Sequence, residues 1–449
     1  MNGLTVVGYL TLSTPSIGSD LLVDTSKDLY SRAKNLIPSG VNSPVRYYAP
    51  YPFFASKGKG GLIWDVDDRR YVDLCCAYGA LLLGHRRAEV LHAVLDQMKK
   101  GTLFCTPTEL EIDLSSEITH LYPSMSKVRL VNTGSEATMT AIRLARGYTR
   151  GKKIIKFEGC YHGAHDSVLV GAGSGSAHAG MSTSDGDLRD STKNTLVVQY
   201  NDLVELDSVM RKHKDELAGV IVEPILANMG LILPEKEFLP GLRKATKEYD
   251  VPLIFDETVT GFRIGSGGAQ EHFGIKPDIT TLGKALGGGF AVAAVGGKEQ
   301  IMDNLAPFGK VYQASTFAAN PISTSAALAA IKTMRKLGKR MYTELERRCA
   351  LVVSAIDDAA NDSHIQHEIN FIASMFQVFF TDRPVTNYKS CKRADAVKFE
   401  RLFKSLLKRG VFVAPSQFEV AFLSHAHSKA DLLHASNSYS ESIKEMHHT

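Results

Sequence analysis

Two ionisable side chains follow short apolar runs and have the types that carbonyl chemistry needs. Lys284 comes just after the run 279–282 and precedes the glycines 287–289. A lysine amine at the end of a buried strand lies in a low dielectric, which favours its neutral, nucleophilic form. Asp256 ends the apolar run that starts at Pro252. Alone, a lysine beside glycines is more often an ordinary solvated residue, so the interpretation depends on the motifs around it.

A lysine for an imine and an aspartate for a ring nitrogen are the two protein groups that pyridoxal phosphate needs most. A phosphate site is also predicted, because Gly134 and Ser135 follow a predicted strand and open a predicted helix. A helix N-terminus offers backbone N–H groups and the positive end of the helix dipole. By itself, Ser135 would be an ordinary helix N-cap.

Two more motifs follow predicted strands. Tyr161 could stack on an aromatic ring with His162 beside it, although both are equally typical of interior packing. Glu223 ends the next strand and Asn228 follows it closely, so a carboxylate and an amide could bond a phenolic oxygen.

The elements that must position these residues alternate along the middle of the chain. Strands are predicted at 128–131, 153–157, 219–222, 252–255 and 279–282, and helices at 137–148, 203–213 and 239–249. This alternation predicts an α/β fold in which a mainly parallel sheet has helices on both faces. Sites in such sheets lie beyond the carboxyl ends of the strands, where Asp256 and Glu223 fall.

The flanking regions differ from this pattern. A helix is predicted at 28–36, a hairpin at 61–73, and a long helix from 322 to 337 that continues in pieces to 360. The predicted domains are an N-terminal extension at 1–24, a segment at 25–85 that packs with the small domain, a large cofactor-binding domain at 86–320, and a smaller α+β domain at 321–449.

Composition excludes several classes of function. The 449 residues carry a net charge of only +4, which gives no reason to expect a nucleic-acid partner. No apolar run reaches the length of a membrane span. The six cysteines lack metal-ligand spacing, so no metal is expected. Residues 1–24 contain no arginine, which argues against an organelle transit peptide, and a cytoplasmic location is predicted.

The ordered motifs resemble those of the class III pyridoxal-phosphate aminotransferases of fold type I. They are Gly-Ser-Glu from 134, Tyr-His-Gly from 161, Glu-Pro from 223, Asp-Glu-x-x-Thr-Gly-Phe-Arg from 256 and Thr-x-Gly-Lys ending at 284. The segments 40–46, 228–230 and 416–419 are similar, more narrowly, to the glutamate-1-semialdehyde aminomutase branch of that family. The resemblance runs from about residue 25 to the end.

The resemblance implies a role for each matching residue of the cofactor site. Lys284 would form the imine and move protons, Asp256 would pair with the pyridinium nitrogen, and Tyr161 would stack on the ring. Gly134 and Ser135 would bind the phosphate, and Asn228 would approach the ring hydroxyl. Thr316 would reach the phosphate of the neighbouring subunit, which implies a homodimer with shared active sites.

On the substrate side, Arg46 would clamp a carboxylate with help from Ser43, and the alternative is a surface arginine in a proline-rich loop. Glu419 would repel keto acids. Ser174 lies in a glycine-rich segment that gates the site in the family, or that is a loop without a role. The implied isomerase activity converts (S)-4-amino-5-oxopentanoate to 5-aminolevulinate through 4,5-diaminovalerate, in tetrapyrrole biosynthesis. The cofactor would start as pyridoxamine phosphate, and an upstream enzyme could deliver the aldehyde.

Two alternatives stay open. An ω-amino acid aminotransferase would need a keto acid acceptor, and a non-catalytic binding module should lack Lys284 or Asp256. The sequence also departs from the family: it has Ala77-Tyr78 where many members have Ser-Trp, Thr258 where valine is usual, and Ser315 and Ala319 where glycines are usual.

Overall fold

The computed structural model of the protein describes residues 25–171, 186 and 192–447. In this part of the chain the strands are β1 Ala55–Lys59, β2 Leu62–Asp65, β3 Arg70–Asp73, β4 Lys127–Val131, β5 Lys153–Phe157, β6 Thr195–Val198, β7 Leu217–Val222, β8 Leu253–Glu257, β9 Ile279–Leu282, β10 Ala293–Gly297, β11 Glu368–Ile372, β12 Met375–Phe379, β13 Val411–Phe412 and β14 Ala421–Phe422. The helices are α1 Ser26–Lys34, α2 Ala88–Met98, α3 Glu109–Leu121, α4 Gly134–Thr149, α5 Asp166–Leu169, α6 Leu203–His213, α7 Phe238–Glu248, α8 Gly268–Phe273, α9 Glu299–Met302, α10 Pro321–Asp362, α11 Tyr388–Arg393, α12 Ala396–Lys408 and α13 Lys429–His447.

The largest sheet has the strand order β4-β10-β9-β8-β7-β5-β6. The pairs from β9 through β8, β7 and β5 to β6 are parallel, whereas β10 runs antiparallel to both β4 and β9. All five strands predicted for this region are present. The sequence interpretation did not predict β6 and β10. The sheet is therefore mainly parallel, as predicted, with one antiparallel strand near its edge.

Helices cover both faces of this sheet. Successive residues of a strand point to opposite faces, so two neighbouring residues of β8 show what packs on each side. Ile254 packs in a buried cluster with Ala141 of α4. Its neighbour Phe255 packs in another cluster with Leu206 of α6 and Leu242 of α7. The predicted α/β architecture is confirmed.

The N-terminal and C-terminal parts of the chain share a second sheet. Its order is β1-β2-β3-β13, and Val72 of β3 pairs in parallel with Val411 of β13. The predicted hairpin at 61–73 corresponds to β2 and β3. A third, antiparallel sheet contains β11, β12 and β14. The boundaries of the predicted domains stay a prediction.

The long helix predicted after residue 321 is α10, which runs for 42 residues. Gly338 interrupts it with a φ of 61°, so the helix is built in two pieces as predicted. Across the described ranges, with gaps at 172–185 and 187–191, we find no helix long and apolar enough to cross a membrane.

Candidate active site

Six of the seven residues predicted to hold a cofactor meet in one cavity at the carboxyl ends of the central strands. The cavity has a volume of about 330 Å³. Its lining combines an amine, two carboxylates, a tyrosine ring and the start of α4. The lining residues are Asn132, Thr133, Gly134, Ser135, Thr138, Tyr161, His162, Gly163, Glu223, Asn228, Asp256, Thr258, Val259, Lys284, Phe290, Ala291 and Val292.

Asp256 is the buried carboxylate at the end of β8. Its Oδ1 accepts hydrogen bonds from the Thr258 hydroxyl at 2.6 Å, the Thr258 backbone N–H at 3.1 Å and the Thr281 hydroxyl at 2.8 Å. Thr281 reaches it because the two residues are register partners on β8 and β9. Burial alone would raise the pKa of Asp256, but His162, followed by the Thr258 and Thr281 hydroxyls, holds that pKa below its ordinary value.

His162 holds the other oxygen of Asp256, with 2.8 Å between Nδ1 and Oδ2. Burial lowers the pKa of His162, so the neutral ring donates its Nδ1 proton to an anionic carboxylate. Nε2 of His162 is buried with no hydrogen-bond partner among the described residues. His162 and Thr281 thus orient Asp256, and neither was assigned this role from the sequence. A threonine inside the apolar β9 strand was the available signal for Thr281.

Lys284 begins a short 3-10 turn, Lys284–Gly287, directly after β9 and Gly283. Its φ of 42° lies in the left-handed region that non-glycine residues rarely adopt, and such strain clusters at functional sites. Burial is the largest influence and lowers the pKa of the Lys284 amine. The carboxylates of Glu419 and Glu223 oppose this shift without reversing it. The structure therefore supports the predicted low-dielectric environment of the amine.

The N-terminus of α4 lines the cavity at the position predicted to bind a phosphate. Thr133 caps the helix by accepting a hydrogen bond from the backbone of Glu136, and Gly134 and Ser135 follow. A Cβ atom on Gly163 would lie 2.6 Å from the Ser135 Oγ, so only glycine fits beside this turn. Thr133, Gly134, Ser135 and Gly163 all line the cavity, so the helix start adjoins the space where an anion could bind.

Glu223 connects the two remaining cofactor candidates. It accepts hydrogen bonds from the Tyr161 backbone at 2.7 Å and from Asn228 Nδ2 at 2.9 Å. Burial, followed by the nearby charge of Asp256, raises the pKa of Glu223 to about 7. The side chain of Tyr161 is 39% exposed and lines the cavity, so its ring is open to a flat ligand.

These groups fit pyridoxal phosphate by the chemistry of their donors and acceptors. The Lys284 amine matches an aldehyde, the anionic Asp256 matches a protonated ring nitrogen, and the α4 N-terminus with Ser135 matches a phosphate. All six predicted cofactor residues other than Thr316 line the same cavity.

The other predicted site residues lie outside this lining. Arg46 is exposed and ends the 3-10 turn Pro44–Arg46, and Ser43 is the residue just before that turn. Glu419 is buried, and its charge acts on Lys284. Thr316 lines a separate cavity of about 330 Å³. Ser174 lies outside the described residues.

The fold and the cavity define a pyridoxal-phosphate enzyme of fold type I, and comparison with known proteins agrees. The family profile "Aminotransferase class-III" matches residues 44–431. The chain belongs to the class III aminotransferase family.

A similar curated relative is the "Glutamate-1-semialdehyde 2,1-aminomutase" of Nitrosopumilus maritimus. It is 64% identical over 420 residues, which cover 94% of this chain and 99% of the relative. Among solved structures, an omega-transaminase from Sphaerobacter thermophilus superposes with a TM-score of 0.87 at 31% identity and covers 93% of this chain and 97% of its own. A "Transaminase with PLP bound" superposes with a TM-score of 0.86 at 26% identity, with coverages of 96% and 100%.

Proposed function

We propose that this protein converts glutamate 1-semialdehyde, (S)-4-amino-5-oxopentanoate, to 5-aminolevulinate, with pyridoxal or pyridoxamine 5'-phosphate as its cofactor. The observation that carries this proposal is that Lys284 and Asp256 line the same cavity. The 64% identity with a curated aminomutase selects this reaction over transfer to a keto acid, which was the alternative. Because both catalytic groups are present, a non-catalytic binding module is not favoured.

Pyridoxamine phosphate, when bound, would supply an amine and an electron-withdrawing ring. Asp256 keeps a proton on the ring nitrogen, because its own pKa is held low by hydrogen bonds. Lys284 exchanges protons with the reacting carbons, a role that its lowered amine pKa supports. The product is an isomer of the substrate, so the reaction needs no oxidant or second substrate.

We propose that side chains outside the cofactor cavity recognise the substrate. Arg46 is the proposed clamp for the single carboxylate, with Ser43 beside it, since a guanidinium binds a carboxylate through two parallel hydrogen bonds. The buried Glu419 places a negative charge near Lys284 and so disfavours acceptors with a second carboxylate. Ser174 is retained as a proposed substrate contact on the basis of the family motif.

We also propose a homodimer in which Thr316 binds the phosphate in the partner's site. Ser315 accepts a hydrogen bond from Asn132 at 2.8 Å, so this segment passes the cofactor cavity, while Thr316 lines the neighbouring one. Phe308 and Phe317 are 99% and 59% exposed, and burying such side chains against a protein surface is favourable. A second copy of the chain would cover them.

The proposed location is the cytoplasm, because all six cysteines are free and five of them are buried thiols. An enzyme that makes the reactive aldehyde is the proposed functional partner.

The direct test measures turnover of the semialdehyde by the purified holoenzyme without any keto acid. We expect 5-aminolevulinate to form under these conditions. A strict requirement for pyruvate or 2-oxoglutarate would overturn the aminomutase assignment. Shared sites are tested by mixing Lys284→Ala and Thr316→Ala chains. A hybrid dimer should regain activity because one of its two sites is intact, and failure to do so would contradict Thr316 acting across the interface.

A further inference from the structure

A strained turn presents Tyr78 beside the proposed substrate site. Cys76, Ala77 and Tyr78 have φ values of 46°, 51° and 54°, and Gly79 follows at 90°. A left-handed conformation is unfavourable for every non-glycine residue, because Cβ then approaches the following carbonyl oxygen. Three such residues in succession persist only where the surroundings impose them, and such strain is typical of functional segments.

Both ends of this turn are fixed by buried charged groups. At its start, Asp73 Oδ1 accepts hydrogen bonds from the backbone of Cys75 at 3.0 Å and of Cys76 at 2.9 Å. At its end, Arg263 Nη2 donates to the Gly79 carbonyl at 2.5 Å. The turn is therefore held rigidly from both sides, and the direction of the Tyr78 side chain is held with it.

The Tyr78 hydroxyl connects the turn to the segment that carries Arg46. It donates a hydrogen bond of 2.6 Å to the backbone carbonyl of Val45, which lies in the 3-10 turn Pro44–Arg46. Burial is the main cause that raises the pKa of Tyr78, while the nearby charge of Arg46 opposes it. Tyr78 thus stays a neutral donor at physiological pH, and it lies within electrostatic reach of both Arg46 and Glu419.

We propose that Tyr78 is a positioning residue that fixes Arg46 through the Val45 carbonyl and so sets the affinity for the substrate carboxylate. The proposal deepens the function proposed above and rests on it in one respect, the role of Arg46 as the carboxylate clamp. Two parallel hydrogen bonds from a guanidinium require a defined orientation, and an arginine on an exposed turn has none of its own. The bond to Val45 restricts that turn.

The first experiment uses the holoenzyme with Tyr78→Phe, which removes only the hydroxyl. We expect KM for the semialdehyde to rise about 3- to 10-fold, as for the loss of one neutral hydrogen bond, with kcat within about twofold. The absorbance and affinity of the bound cofactor stay unchanged. The matched control is Tyr342→Phe, because the hydroxyl of the partly buried Tyr342 also donates to a backbone carbonyl, that of Phe262, at 3.0 Å. This control should leave KM unchanged.

A second readout separates positioning from a general loss of packing. Pentanoate carries the carboxylate without the reacting groups, and pentanamide is its neutral counterpart. In ligand-observed NMR, Tyr78→Phe should weaken pentanoate binding by the same factor as KM and leave pentanamide unaffected. Equal weakening of both ligands would overturn the positioning role.

Arg46→Ala, alone and combined with Tyr78→Phe, separates the clamp role of Arg46 from the positioning role of Tyr78. If KM is unchanged in Arg46→Ala, the clamp assigned under the proposed function is wrong. If KM rises in Arg46→Ala and Tyr78→Phe adds its full factor on top, the clamp stands and the positioning inference is overturned. We expect the second substitution to add little to the first, because both act on the same guanidinium.

Discussion

Replacing Thr258 with valine tests how the charge on Asp256 is maintained. The Thr258 hydroxyl donates to Asp256 Oδ1 at 2.6 Å, and valine keeps the shape of the side chain without this donor. The family resemblance also implies a valine at this position. We therefore expect Thr258→Val to fold, to bind the cofactor and to turn over substrate at neutral pH.

The magnitude follows from the remaining contacts of Asp256. A hydrogen bond to a charged group contributes about 1.5–3 kcal/mol. The lower end applies, because the Thr281 hydroxyl and the Thr258 backbone still donate to the same oxygen. A loss of about 1.5 kcal/mol corresponds to roughly tenfold tighter proton binding by the carboxyl group.

The sign of the pH effect is fixed by the direction of the shift. The pKa of Asp256 is lowered in the folded protein, so the anionic form is present above that pKa and is lost as the pH falls through it. In Thr258→Val the loss begins at a higher pH. Titration of the apo-protein with pyridoxal phosphate, followed by absorbance from acid to neutral pH, should show the midpoint of cofactor binding displaced toward neutrality.

Thr260→Val is the matched control for this titration. The Thr260 hydroxyl donates to Glu257 at 2.9 Å, and Glu257 points to the opposite side of β8 from Asp256. This control should change stability without moving the acid midpoint. If Thr258→Val keeps the parent's midpoint, or if both variants move it equally, the reasoning about Asp256 is refuted.

Three further predictions concern basic side chains inside the protein. Lys284→Ala should bind cofactor without a covalent bond and lose about 10²- to 10⁴-fold in turnover; an adduct found by mass spectrometry after borohydride reduction would contradict this. Burial lowers the pKa of Lys156 from 10.5 to about 8. Below pH 8 the buried charge therefore destabilises the folded state by up to about 3 kcal/mol. This destabilisation is relieved as the pH rises from 8 toward 10.5. Lys156→Met should flatten that rise in urea denaturation of the apo-protein, and an unchanged slope would count against it. Arg263→Lys cannot reproduce the hydrogen bonds that Arg263 donates to Gly79, Leu423 and Ser374. We therefore expect the free energy of unfolding, measured by denaturation, to fall by about 2–5 kcal/mol. A change near zero would show that lysine satisfies the same acceptors.

The strands and the cofactor residues could be predicted because their signals are local. The parallel strands are buried on both faces and give continuous apolar runs, as β7 shows. By contrast, β10 consists of Ala-Ala-Val-Gly-Gly, whose small side chains resemble a loop in sequence. It forms a strand because it pairs with β4 and β9, which no local pattern reveals.

Contacts between distant segments explain what the sequence could not supply at the site. His162 was noted beside Tyr161, but its bond to Asp256 joins residues 94 positions apart. Thr258 was recognised as a departure from the family, without the hydrogen bond that gives the hydroxyl a role. Ala319, noted where glycine is usual, has a φ of 55°, the conformation that explains the usual glycine. The roles of Arg46, Ser43, Glu419 and Thr316 stay predictions, since they depend on substrate or on a second subunit.

The parallel pairing of β3 with β13 has a consequence for how the chain matures on the ribosome. β3 cannot pair with β13 until Val411, about 340 residues after Val72, has been synthesised. At a synthesis rate of about 5–20 residues per second, the wait is roughly 17 to 70 seconds. The central sheet can be assembled in that interval while the N-terminal hairpin keeps an unpaired edge. An unpaired strand edge can pair with other chains, so this edge is open to aggregation or to chaperone binding during that interval.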